Sequence, residues 1–162
     1  MMTRYVIVQN GAVVTVFGSP QPVDTAGYEE LAETDALWVA YLLAQAQAAQ
    51  TATLMAVYET ASIQPVSYTT KAGVSHTFQA DASSQQLVQT SLAGYSAAQA
   101  VPSGFYWVAA DNTQVPFVYA DLQGLAGVMI AQGWTAFQQL QTLKAEVRTA
   151  TTVAAVQAVV WP

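Results

Sequence analysis

The chain has 162 residues, 53% hydrophobic and only 9% charged, with four Lys and Arg against ten Asp and Glu for a net charge of −6. Four cations (Arg4, Lys71, Lys144 and Arg148) neutralise too few phosphates for a nucleic-acid binder and offer an anionic membrane surface little attraction. The lack of cysteine excludes disulfides and thiolate metal sites, and no apolar run approaches the roughly 18 residues that span a bilayer.

The first predicted element is a β-hairpin. RYVIVQ and AVVTVF are β-rich runs separated by Asn10-Gly11, the dipeptide a type I′ turn requires because both positions need positive φ. That turn also ends the apolar stretch Tyr5 to Val8, so the N-terminus does not read as a signal peptide, and the expected site of synthesis is the cytosol. Gly18, Pro20 and Pro22 then break the chain. Glu29, Glu30, Glu33 and Asp35 follow as an acidic approach to a helix, either solvated or set to meet a basic partner surface. Thr34 or Asp35 is the expected cap of a long helix, ALWVAYLLAQAQAAQTATLMAVYETA, with Leu37, Tyr41 and Ala44 or Ala48 at helical spacing. Its Ala, Gln and Thr middle suits close helix packing against a partner.

Pro65 ends this segment. VSYTT and VSHTFQ form a second hairpin around Lys71-Ala72-Gly73. Asp81 or Ser83 caps a helix over about 83–99, with Leu87, Val88, Leu92 and Tyr95 along one side. FYWVA and QVPFVYA make a third hairpin around Asp111-Asn112, and Pro116 suggests an edge or a late strand start. Asp121 stands at the entry of a helix carrying Leu122, Leu125, Met129, Phe137, Leu140 and Val147, bent or interrupted at Gly133. A short helix over about 152–160, capped by Thr151 or Thr152, closes the chain. The fold class is α+β: an N-terminal hairpin and long helix forming a docking arm over 1–64, then a compact domain over 65–162 of two hairpin–helix units ending in two helices. The second and third units share an Asp at helix entry, followed by Gly94-Tyr95 or Gly133-Trp134.

Chemistry is sparse. His76 is the only histidine, with Asp81 the one acid near it, so a structural role is expected. No G-x-S-x-G elbow and no phosphate-binding glycine loop occur. Asp81, Asp111 and Asp121 can be imagined as a hydrolytic cluster, but two helix starts and a turn explain them better. No catalytic, metal or cofactor-binding residue is assigned. Thirty alanines supply much of the apolar fraction, and eighteen glutamines outnumber the charged residues. A surface of neutral amides and hydroxyls repels its like weakly and associates readily. In the third hairpin, alternation puts Phe105 and Trp107 on one face and Tyr106 on the other, so one face builds core and the other can bind, although core for all of Phe105, Tyr106, Trp107, Phe117 and Tyr119 is the leading reading. Trp38, Tyr41, Tyr106, Trp107, Phe117, Tyr119 and Trp134 are the candidate partner-binding residues.

Three stretches, TKAGVSHTFQAD (70–81), GFYWVAADNTQVPFVYADLQGLA (104–126) and GWTAFQQLQTLKAEVRTATTVAAVQAV (133–159), carry a resemblance. From about Val66 to Pro162 the chain is similar to a domain of unknown function found in tailed-phage and prophage proteins encoded beside tail fibres. The N-terminal hairpin and ETDALWVAYL (33–42) resemble tail-fibre-associated proteins as well. The resemblance implies a non-enzymatic tail-fibre assembly protein, a chaperone-like partner of the fibre or receptor-binding protein in the host cytoplasm. The alternative it implies is a minor structural component of the mature tail or baseplate. It hands over no catalytic residue and no cofactor.

Overall fold

The computed structural model describes residues 2–162, and the fold is α+β. The chain packs as two compact units, Met1–Leu54 with Leu143–Pro162, and Met55–Thr142. Two long helices, α1 (Ala36–Ala61) and α3 (Tyr119–Thr149), contribute residues to both. This grouping follows packing, whereas the 64/65 boundary read from the sequence follows chain order.

In the first unit, β1 (Thr3–Gln9) and β2 (Ala12–Phe17) form the expected hairpin, with Asn10 and Gly11 at φ 52° and 76° as a type I′ turn demands. A third strand, β3 (Tyr28–Ala32), pairs antiparallel on the other side of β1, giving the order β2-β1-β3. The sequence reading has no strand here: Glu29 and Glu30 are poor strand formers. Leu31 supplies what the pattern hid, a buried side chain facing Val6, Val13 and Trp38. Asp35 is the cap of α1, its Oδ1 accepting the Leu37 N–H at 2.8 Å. Trp38 and Tyr41 stack with centroids 5.3 Å apart. The Arg4 guanidinium sits 5.4 Å over the Trp38 ring and pairs with Glu33 at 2.6 Å. Both partners are over a third exposed, so the ion pair contributes under about 1 kcal/mol.

The glutamines of α1 have specific work. Gln47 Nε2 donates to the carbonyls of Val147 and Ala150 at 3.2 Å each, and Gln50 Nε2 to that of Val159 at 2.5 Å. Carbonyls at a helix C-terminus lack helical donors, and Gln47 supplies one to the end of α3. The Ala/Gln stretch thus meets, at these two positions, the chain's own C-terminal segment. The last helix, α4 (Val153–Gln157), is capped by Thr152, whose Oγ1 accepts the Ala155 N–H at 3.1 Å.

In the second unit, β4 (Val66–Thr69) pairs with β5 (Ser75–Phe78), and β6 (Tyr106–Val108) pairs with β7 (Gln114–Pro116). Between the hairpins runs α2 (Ala82–Tyr95). It ends four residues before the expected position 99, and Gln99 adopts a left-handed φ of 49°. Pro116, the last residue of β7, keeps its missing N–H out of an interior ladder, as expected of an edge. α3 runs unbroken through Gly133, contrary to the expected interruption: nothing crowds that position, so the glycine costs only helix propensity. The core collects Phe78, Val88, Val115, Phe117, Leu122 and Leu125 among others. Its aromatic rings form a series: Tyr95–Phe105 5.7 Å, Phe105–Trp107 6.3 Å, Trp107–Phe117 6.3 Å and Phe117–Phe78 5.4 Å.

Asp121 is the polar centre of this unit. It is 2% exposed. Its Oδ2 accepts the Val118 N–H at 2.9 Å, the reach-back half of a capping box at the start of α3. Its Oδ1 accepts the Lys71 N–H at 2.7 Å and the Tyr68 hydroxyl at 3.1 Å. One carboxylate therefore ties the β4–β5 turn to the α3 entry. Burial and the adjacent carboxylate push the Tyr68 phenol up to about 12. The Tyr68 ring lies so close over Gly124 that an added Cβ would sit 2.6 Å from its Cε2 and Cζ.

A candidate docking groove

Backbone alternation in β6 sorts the aromatics as the sequence predicts. Phe105 and Trp107 pack against the core, and Tyr106 and Val108 are 46% and 47% exposed. Beside them a groove of about 490 Å³ opens between β6 and α2. Ser84, Leu87 and Ser91 form the helical wall at i, i+3 and i+7. Leu87 is 57% exposed, which corrects its expected place on one side of α2 with Val88, Leu92 and Tyr95. Val88, Leu92 and Tyr95 follow the i, i+4, i+7 stripe that packs inward, and Leu87 sits one residue, about 100°, off it.

The candidate residues divide by burial. Trp38, Phe117 and Tyr119 are buried at 7%, 3% and 8%, so they hold cores together and present no surface. Tyr41 is half-buried against Trp38 in the first unit, where a smaller recess of about 330 Å³ runs past it and Leu37. Tyr106 and Trp107 meet at the groove. Trp134 is 57% exposed on α3, stacked on Phe137 at 5.7 Å. Phe137 is itself 39% exposed and Ile130 63%, so Ile130, Trp134 and Phe137 form an outward stripe. The inner face instead runs through Leu125, Met129, Ala136, Leu140 and Val147. Gln79, Ser84, Leu87 and Ser91 were not foreseen at the site. Only the phase of α2 places Ser84, Leu87 and Ser91 there, and the sequence offers two adjacent leucine-like positions, 87 and 88, for that phase, while Gln79 arrives from the segment between β5 and α2.

The carboxylates do backbone work. Asp81 caps α2, accepting the Ser83 and Ser84 N–H groups at 2.9 and 3.0 Å. Hydrogen bonds from both serines, the Ser83 hydroxyl foremost, hold its carboxyl down at about 2. Asp111 accepts the Thr113 N–H at 2.9 Å, and that bond lowers its pKa. His76 is half-buried on β5, its ring edge-on to Phe78 at 6.4 Å. Among the described residues no three His, Cys, Asp or Glu side chains gather as a metal site, and no helix is long and apolar enough to cross a membrane. What the groove offers is apolar contact and free backbone groups.

No curated protein and no solved structure matches the chain. A family described as "Domain of unknown function (DUF4376)" matches residues 42–160, from within α1 to just short of the C-terminus, and the chain belongs to that family.

Proposed function

We propose that this chain is a protein-binding assembly factor for a tailed-phage fibre or receptor-binding protein, acting by contact and turning over no substrate. The observation that carries the reading is the division of labour among side chains. Asp81, Asp111 and Asp121 are each engaged by backbone N–H groups, whereas Leu87, Tyr106, Val108, Ile130 and Trp134 stand 46% to 63% exposed with no polar task of their own. Exposed apolar side chains grouped this way mark contact surfaces. The resemblance of 70–81, 104–126 and 133–159 to a domain of tailed-phage proteins encoded beside tail fibres, and of the N-terminal hairpin and 33–42 to tail-fibre-associated proteins, points to the kind of partner. Weakly charged surfaces with exposed aromatics can cover fibre segments until they trimerise.

Co-expression with the neighbouring fibre gene tests this. The yield of soluble fibre trimer falls when the chain is omitted, and an unchanged yield defeats the proposal. Mass spectrometry of purified virions separates the transient role from the structural one. Stoichiometric amounts in the particle would place the chain in the tail or baseplate.

A further inference from the structure

The phase of the β6–β7 ladder leaves one backbone edge open. Phe117 N–H donates to the Phe105 carbonyl at 3.1 Å, and Ala109 N–H to the Thr113 carbonyl at 2.9 Å. In an antiparallel pair the bonded positions alternate, so Trp107 faces Val115 through its backbone and the N–H and C=O groups of Tyr106 and Val108 point away from β7. Among the described residues that side of the hairpin reaches β5 through one backbone hydrogen bond, Ala110 N–H donating to the Thr77 carbonyl at 2.8 Å. Along this edge lies the groove, a wedge lined by Tyr106 and Val108 on β6 and by Ser84, Leu87 and Ser91 on α2. A sheet edge beside a helix, closed at one end, matches the shape of an added strand.

We infer that the β6 edge is a docking site for an extended, uncharged segment of a partner protein, which adds a third strand to the β6–β7 hairpin. The backbones of Tyr106 and Val108 supply its two donors and two acceptors. Alternate side chains of the incoming strand turn toward Leu87 and the exposed Tyr106 and Val108. Charge matching sets the chemistry of the occupant. No charged side chain lines the groove, and Asp81 already occupies the positive end of α2. An Asp, Glu, Lys or Arg brought into the wedge would lose water and find no counter-charge. A helical ligand would leave the edge groups of β6 unpaired. The inference rests on the protein-binding reading above and not on the fibre as the partner.

The test pans a displayed library of random peptides of about ten residues, long enough to cross the edge, on the full chain. Enriched peptides are then titrated against the natural chain, Val108→Pro and Leu87→Asp. The expected winners are uncharged, with an apolar residue at every second position. Val108→Pro removes one edge donor, and Leu87→Asp puts an unpaired charge in the wall. Each weakens binding about tenfold, the scale of one lost backbone hydrogen bond with its geometry. Leu87 is exposed, so Leu87→Asp keeps the fold and decides the matter even where Val108→Pro unfolds. No enrichment, charged or helix-patterned winners, undiminished binding to Leu87→Asp, or self-association of the chain through this edge would each overturn the inference. Fibre yield that depends on the chain but not on Leu87 sinks the groove alone. Peptide binding with fibre yield independent of the chain sinks the fibre reading alone.

Discussion

In the Met55–Thr142 unit an aromatic series from Tyr95 to Phe78 runs through a core that also buries Val88, Leu122 and Leu125, with Asp121 tying turn to helix. In the other unit the three-stranded sheet rests on Val6, Val13, Leu31 and Trp38, and hydrogen bonds from Gln47 and Gln50 hold the C-terminal segment. The first is fixed by interlocking rings around a buried carboxylate. The second is fixed by a small sheet core, by the buried aliphatic side chains of Leu54, Leu143, Val147 and Val156, and by amide contacts that water can contest. Exposure of the β6 edge is affordable because the hairpin beneath it is anchored by Phe105, Trp107 and Phe117.

The comparison is sharpest where it is broken hardest. Phe78→Ala empties a fully buried ring site and lowers stability by about 3–5 kcal/mol, read from urea unfolding. Amides of β4 to β7 lose exchange protection with it. Asp121→Ala strands the Val118 and Lys71 N–H groups and the Tyr68 hydroxyl, costing about 3 kcal/mol by the same measurement. If Asp121→Ala is neutral, the polar tie is not what fixes this unit. Gly124→Ala drives a methyl into the Tyr68 ring and destabilises by about 1–3 kcal/mol despite the helix propensity gained. Gly127→Ala and Gly133→Ala have open space and stabilise by up to about 1 kcal/mol, read as a rise in Tm.

The smallest effect is acidic. The Asp81 carboxyl lies at about 2 in the fold against an ordinary 3.8. Its cap therefore contributes fully above about pH 4, and that contribution fades as pH falls toward 2. Asp81→Asn flattens this part of the stability profile, and an unchanged acid slope would remove the cap from the account.

The first hairpin was legible because Asn-Gly admits one turn, and α2 and α4 because Asp81 and Thr152 are acceptors at helix starts. β3 was not, since Tyr28–Ala32 carries two glutamates and one buried position, and only pairing along β1 makes it a strand. Outward Tyr106 followed from alternation. The groove did not, because its second wall depends on a 100° difference between Leu87 and Val88 on α2. Burial of Phe117 and Tyr119 agrees with the core reading of the third hairpin, whereas burial of Trp38 was hidden: an aromatic on a helix of evenly spread alanines does not state which side it faces.

The central claim is that this chain works by holding the fibre protein at the β6 edge. Hydrogen–deuterium exchange on the chain, free and co-purified with the fibre protein, tests it most directly. The account predicts that the Tyr106 and Val108 amides slow on binding while those of β1 and β3 are unchanged. A fibre protein that does not co-purify, or protection that bypasses the β6 edge, would contradict it.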